Sequence, residues 1–289
     1  MRTLIIGANG LLGKALMEQW ESDQVTGVGP QDADIRDPDA LRRLFDRVRP
    51  QYTVLLAAYT DVDGCEKDPR RADEVNRAGA IHVAEAARNA GSGLMFLSTD
   101  YVFDGTRKTP YEKDDPVNPI NVYGRSKAEA ERGIREILPA CCILRTSWLF
   151  GAGGRCFPNT ILELARTREK LIVVHDQKGS PTFNRDLAAG IIKLATAGAQ
   201  GTLHLTNAGA CTWFELAREL VRATDLAEIT VEPVTTAEFP RAARRPAYSV
   251  LANSSVEQYG IFMRPWQQAL GDYLAERRNV PQVQGSMAR

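Results

Sequence analysis

The chain has 289 residues, 44% of them hydrophobic and 25% charged, with 36 basic side chains balanced by 36 acidic ones. This is a globular composition with enough length for a large core in two lobes, and the balanced charge gives no reason to expect nucleic acid or an anionic membrane as a partner. No stretch reaches the roughly 20 apolar residues of a membrane helix, and Cys65, Cys141, Cys142, Cys156 and Cys211 lack C-x-x-C spacing, which argues against a disulfide scaffold or a zinc ribbon.

Thr3-Leu4-Ile5-Ile6 is a short apolar strand that ends at Gly7, and Leu11 to Trp20 has helical character. Glycine and asparagine interrupt this N-terminal run and no small-residue cleavage site follows, unlike a secretory signal. A reducing, cytoplasmic setting is the expectation. Val25 to Val28 makes a second strand, Leu41 to Val48 has helical periodicity, and Thr53-Val54-Leu55-Leu56 is a third strand. A long helical segment over 69–89 carries Ala80, Val83, Ala84 and Ala87 on one face. Leu94 to Leu97 is a fourth strand, a helix opens at Tyr123, and Cys142 to Leu144 is a fifth strand with Cys141 and Cys142 as buried thiols.

Short, unalternated apolar strands separated by helices indicate a parallel sheet covered on both faces. The expected class is α/β: a doubly wound parallel Rossmann sheet with a smaller mixed α/β substrate domain. The glycines of GAGG after Phe150 mark a lobe boundary. Residues 1–150 form a dinucleotide-binding domain and 151–289 mainly a substrate domain, with an interleaved boundary and a loose tail at 279–289. Beyond the boundary, helices are expected near 159–168, 185–196, 213–223 and 266–277, with strands at 171–174, 203–206 and 229–234.

GANGLLG places Gly7, Gly10 and Gly13 in G-x-x-G-x-x-G spacing between the first strand and the first helix. The first glycine permits a tight turn, the second lets backbone approach a pyrophosphate, and the third lets helix pack on strand. The amides at the positive end of the helix would face the diphosphate. A glycine triplet alone marks only a turn; the strand before it and the helix after it favour dinucleotide binding. The second strand ends Val28-Gly29-Pro30-Gln31, with neither the acidic residue of a strict NAD site nor an arginine for a 2′-phosphate. Asp34, beside Ile35, could reach the adenosine end, and NADH versus NADPH stays open.

Tyr123 and Lys127, in YGRSK, stand four residues apart and share a helical face. Bringing a tyrosine from about 10 to about 7 takes roughly 4 kcal/mol of phenolate stabilisation. An ammonium one turn away and a cationic nicotinamide ring could supply much of that in a dry cleft, and little of it in water. Thr99 ends the fourth strand, where a doubly wound sheet binds ligands, and is placed to share a substrate carbonyl with Tyr123.

The glycine loop, the segment STDYVFDG (98–105) and Y-x-x-x-K resemble the extended short-chain dehydrogenase/reductase superfamily. AAYTDVDGCE (57–66), NVYGRSK (121–127), RTSWLFG (145–151), DQKGSPT (176–182) and RRPAYSVL (244–251) resemble its dTDP-4-dehydrorhamnose reductase family, in order from about residue 3 to residue 275. The resemblance implies NADPH- or NADH-dependent reduction of the 4-keto group of dTDP-4-dehydro-L-rhamnose. It implies that Tyr123 protonates the forming alkoxide and that Thr99 orients the carbonyl. Lys127 would hold the nicotinamide ribose and lower the tyrosine's pKa. It further implies that Gly10, Leu11, Leu12, Asp34, Ile35, Ala58, Tyr59, Thr60 and Leu97 line the cofactor. Asp100 and Trp148 would line the sugar, with Thr60 and Val62 nearby.

With a nucleotide diphosphate as substrate, Arg241, Arg244 and Arg245 become candidates for its phosphates, Arg245 foremost. Some members of the family hold magnesium through acidic side chains soon after the P-T motif. Asn184 and Arg185 stand there in this chain, so no metal and no dimer of that mode is expected, leaving a monomer or another homodimer. Two other activities share these motifs: a non-catalytic NADP-binding regulatory subunit of methionine adenosyltransferase, and a nucleotide-sugar epimerase or dehydratase that retains NAD. Asp100 beside Thr99 keeps the dehydratase open.

Overall fold

The computed structural model describes residues 1–21 and 24–279; residues 280–289 of the expected tail lie outside the described residues. In chain order, the first half runs Thr3–Ile6 (β1), Leu11–Gln19 (α1), Val25–Val28 (β2), Pro38–Val48 (α2), Tyr52–Leu55 (β3), Val62–Lys67 (α3) and Pro69–Ala72 (α4). A π-helical turn at Asp73–Gly79 leads into Ala80–Asn89 (α5), followed by Gly93–Thr99 (β4), Val122–Ile137 (α6), Cys142–Thr146 (β5) and Leu149–Phe150 (β6). Then come Phe157–Ala165 (α7), Lys170–Val174 (β7), Lys178–Gly179 (β8), Thr182–Phe183 (β9), Asn184–Thr196 (α8) and Gly201–His204 (β10). Cys211–Thr212 (β11), Trp213–Arg222 (α9), Thr230–Val234 (β12), Ser254–Glu257 (α10) and Trp266–Asn279 (α11) complete the trace.

Six parallel strands form one sheet in the order β10-β5-β4-β3-β1-β2. Alternate residues of its apolar strands bury on opposite faces. Ile5, Val54, Met95 and Leu144 pack with Leu16 of α1 and Leu187 of α8. Leu4, Leu55, Phe96 and Ile143 pack with Leu44 of α2, Val83 of α5 and Ile134 of α6. Two covered faces are why these strands read as continuous hydrophobic runs. The strand order reverses beside β1, so a crevice opens there off the carboxyl ends of the strands.

A second core joins α7, α9 and α11 to the parallel pair β7–β12. The lobes interleave along the chain. After β9 the chain returns to the large sheet, where α8 packs on α1 and β10 pairs in register with β5. The strand expected over 203–206 is therefore the edge of the large sheet.

Short elements escape periodicity. The helix α3 is six residues long and carries Gly64, and its start is capped by the Asp61 side chain, which accepts from the Gly64 amide at 2.9 Å. The two-residue strands β6, β8, β9 and β11 are too short to have a pattern.

Candidate active site

One cleft of about 1130 Å³ runs from the glycine loop past the ends of β3, β4 and β5. Every residue that the sequence assigned to cofactor or sugar lines it, except the phosphate candidates Arg241, Arg244 and Arg245. Gly7 has φ +97°, and a Cβ there would lie 2.7 Å from the Ala57 amide nitrogen; one on Gly13 would lie 2.3 Å from the Gly7 carbonyl oxygen. The helix α1 then begins with no side-chain cap and no acidic residue in its first turn. Its orphan amides thus stay free to meet a pyrophosphate. The cleft exceeds the usual 300–1,000 Å³ of a small-ligand site, and the cradle fits a dinucleotide.

At the adenosine end, Asp34 is gripped by Arg36, whose Nη2 and Nε donate to Oδ2 at 2.6 and 3.0 Å. The Arg36 guanidinium holds the Asp34 carboxyl below its ordinary range. Both line the cleft, and so does Arg71, which lies over the Tyr59 ring at 4.5 Å. Arg36, a position that the sequence reading passed over, thus brings a guanidinium to this end of the cleft.

Asn76 is a second omission. It lies in the π-helical turn, 1% exposed. Its Oδ1 accepts from the Tyr59 amide at 2.7 Å, and its Nδ2 donates to the Tyr59 carbonyl at 3.1 Å and to Ser126 Oγ at 3.0 Å. One amide thereby ties the 57–60 loop to the helix that carries Tyr123. A buried asparagine within a helical run was the available signal, because its polar atoms must find partners.

The catalytic candidates converge. Asn121 caps α6, accepting from the Gly124 amide at 2.8 Å, and so sets Tyr123 and Lys127 on the first turns. Burial pushes the pKa of the Tyr123 phenol up, and the Thr99 hydroxyl opposes that shift. Lys127 is 2% exposed; its Nζ donates to the Leu97 carbonyl at 2.7 Å and sits 3.9 Å from the Phe96 ring centroid. Burial pushes Lys127 down to about 7, with Glu131 opposing the shift. The sequence expectation has Lys127 lowering the pKa of Tyr123, whereas in this structure its Nζ is bonded to the Leu97 carbonyl. The ammonium is engaged with backbone on β4, and the phenol responds to its own desolvation and to the Thr99 hydroxyl.

Asp100 adjoins this group. Thr99 Oγ1 donates to its Oδ1 at 3.1 Å, while Oδ2 has no hydrogen-bond partner. Burial pushes the Asp100 carboxyl up to about 7, against the pull of the Ser249 and Thr99 hydroxyls. A carboxyl so placed is a proton donor as well as an acceptor near neutrality.

On the sugar side, Trp148 stacks on Trp213 with ring centroids 3.4 Å apart and planes 4° from parallel. Trp148 has φ +46°, a conformation that costs about 1–2 kcal/mol for an L-residue. Aromatic pairing returns about 0.5–1.5 kcal/mol beyond area burial, so the stack offsets much of that strain. The T-x-x-E capping box at Thr212 and Glu215 was the sequence signal that sets Trp213 on a helical first turn.

Arg245 is held elsewhere. Its Nη1 and Nη2 donate to Asp63 Oδ1 and Oδ2 at 2.6 and 3.0 Å, and Nη1 also donates to the Ala243 carbonyl at 2.6 Å. Arg241 and Arg244 are exposed. Arg155, in the loop after β6, lines the cleft instead. Just after the P-T motif, Asn184 donates to the Leu11 carbonyl at 3.0 Å, and Arg185 pairs with Glu18 at 2.9 Å and with Glu276. Among the described residues, no group of three or more His, Cys, Asp or Glu side chains could hold a metal ion.

The chain matches the family model described as RmlD substrate binding domain over residues 1–279. It is 40% identical to the spore coat polysaccharide biosynthesis protein SpsK of Bacillus subtilis, over 96% of this chain and 99% of that protein. The dTDP-4-dehydrorhamnose reductase of Streptomyces griseus is also 40% identical, over 93% and 91% of the two chains. The crystal structure of the Bacillus anthracis dTDP-4-dehydrorhamnose reductase in complex with NADP superposes with a TM-score of 0.90 at 38% identity, covering 95% of this chain and 99% of that one. A Rossmann cradle, a Thr–Tyr pair at its mouth and full-length similarity at this level coincide in one molecule: the chain belongs to the RmlD, or dTDP-4-dehydrorhamnose reductase, family.

Proposed function

We propose that the protein reduces the 4-keto group of dTDP-4-dehydro-L-rhamnose with NADPH or NADH. The observation that carries this reading is that Thr99, Tyr123 and Lys127 line one cleft off the end of β4, the cleft that begins at the glycine loop. The names and the bound NADP of similar proteins support it. The reduced nicotinamide, when bound, supplies the hydride to C4. Thr99 donates a hydrogen bond to the ketone oxygen and fixes its direction. Tyr123 then gives its hydroxyl proton to the alkoxide, and the C4 carbonyl becomes a secondary alcohol. Burial suits this direction of reaction: a phenol whose pKa is pushed up stays protonated at neutral pH, the form that a proton donor requires.

Gly7, Gly10, Leu11, Leu12 and Gly13 would hold the pyrophosphate, Asp34 and Ile35 the adenosine, and Ala58, Tyr59, Thr60 and Leu97 the nicotinamide half. Lys127 would exchange the Leu97 carbonyl for ribose hydroxyls. Val62, Asp100 and Trp148 would surround the sugar. For the diphosphate we favour Arg155, which already faces the cleft, over the engaged Arg245. No helix among the described residues is long and apolar enough to cross a membrane, and the five buried free thiols accord with a reducing cytoplasm.

The test is cofactor absorbance and product analysis with purified protein, the dTDP keto sugar and each reduced dinucleotide. Turnover to dTDP-L-rhamnose is the expected result. Oxidation of neither dinucleotide by the keto sugar would overturn the reading.

A further inference from the structure

Trp148 lies two residues beyond Thr146, which is the register partner of Thr99. It lines the same cleft as Thr99, and its indole packs against the core of the second lobe. Three contacts hold it. Trp213 covers its face in the near-parallel stack. Gly179 leaves room for it, since a Cβ there would lie 2.4 Å from Trp148 Cε2. Phe157 braces Trp213 at 4.5 Å. Two of these contacts belong to one unit: β8 carries Gly179, pairs antiparallel with β11, and β11 runs directly into α9, whose first residue is Trp213. The capping box of Thr212 and Glu215 fixes that helical start. Both indoles line the cleft.

We propose that Trp213 is a positioning residue for the keto sugar, acting through Trp148 to decide which face of C4 receives the hydride. The inference rests on the reductase reading above. A ketone between a fixed nicotinamide and a fixed tyrosine gives one alcohol only if the sugar ring cannot turn over. A strained tryptophan lining the same cleft as Thr99 is a wall against that turn while its indole is held in place. Trp213, on an independently capped helix, holds it. The second lobe thereby sets the stereochemistry of a reaction whose chemical groups all belong to the first.

The experiment compares wild type, Trp213→Leu, Trp213→Phe and Gly179→Ala with the dTDP keto sugar and NADPH. It reads kcat, KM for the sugar, the C4 configuration of the product by NMR, and NADPH affinity by cofactor fluorescence. Trp213→Leu raises the sugar KM about tenfold, the scale of a lost pocket contact, and yields the C4-epimeric alcohol beside the normal product, with NADPH affinity unchanged. Trp213→Phe, which still stacks, keeps a single product. Gly179→Ala disturbs the same ring from another side and reproduces the mixed product, which settles the matter even if Trp213→Leu does not fold. An active wild type whose Trp213→Leu or Gly179→Ala variant keeps the sugar KM and a single epimer overturns this inference alone. A wild type inactive with the keto sugar overturns the functional reading, and the inference falls with it.

Discussion

Lys127 gives its ammonium to the carbonyl oxygen of Leu97 at 2.7 Å, inside the wall of the cleft rather than across it toward the phenol four residues earlier. Burial holds its pKa at about 7. The unfolded chain keeps this lysine protonated to about 10.5, so between pH 7 and pH 10.5 the unfolded state binds more protons, and stability rises with pH. Below pH 7 the full cost is present, on the order of 5 kcal/mol for a shift of this size. Lys127→Met is expected to raise the thermal midpoint of the ligand-free protein at pH 7, with a gain that shrinks toward pH 10, while abolishing turnover. A lower midpoint across that range would show that the ammonium is stabilising where it lies.

Tyr123→Phe is expected to lower kcat by about 10²- to 10⁴-fold, the scale of a positioned general acid, with NADPH affinity retained. Thr99→Val keeps the acid and loses the orienting hydrogen bond, so its loss falls mainly in kcat and is smaller. Stopped-flow measurement of cofactor oxidation separates the two. Near-normal turnover by Tyr123→Phe would remove the phenol from the mechanism.

How much of this the sequence disclosed depends on distance along the chain. The glycine loop and Y-x-x-x-K are local patterns, and their consequences within one turn of helix were legible. So was the doubly covered sheet, because Leu4, Ile5 and Ile6 all bury, on alternating faces. Partnerships between remote segments were not. Nothing near Trp148 reveals that Trp213 lies against it, and nothing near Arg245 reveals that Asp63 holds it. The direction of Lys127 was hidden for the same reason. Its spacing named a partner on its own helix, whereas the acceptor it found belongs to β4.

Asp100 supplies the opposite pH dependence. Its carboxyl titrates near 7 in the folded protein and near 3.9 when unfolded, so the folded state binds the extra proton between those values and stability falls as pH rises through them. The side chains that act on it directly, Thr99 and Ser249, are neutral hydroxyls, and the nearby Arg245 is paired with Asp63. The unfolding free energy of Asp100→Asn minus that of wild type is expected to grow in favour of the variant from pH 4 to pH 7, by up to about 4 kcal/mol, and then to level. Urea denaturation at pH 4, 5.5, 7 and 8 measures it. A difference flat with pH would mean that Asp100 is ionised throughout.

The choice between dinucleotides turns on Asp34 and Arg36. A free carboxylate at that end of the cleft favours the ribose hydroxyls of NADH and repels the 2′-phosphate of NADPH. Here Arg36 neutralises Asp34 through paired hydrogen bonds while remaining about half exposed, with 49% of its side-chain surface accessible, so it can turn to a phosphate without a large desolvation penalty. Arg71 lines the same region. Arg36→Ala removes the phosphate's cation and uncovers the repelling carboxylate together. The ratio of kcat/KM for NADPH to that for NADH is therefore expected to fall about fivefold, the scale of a ~1 kcal/mol exposed charge contact. The double variant Arg36→Ala with Asp34→Asn should recover part of the NADPH activity, because it leaves nothing to repel the phosphate. An unchanged ratio in Arg36→Ala would place the 2′ position beyond the reach of this pair and leave Arg71 as the nearest cation to test.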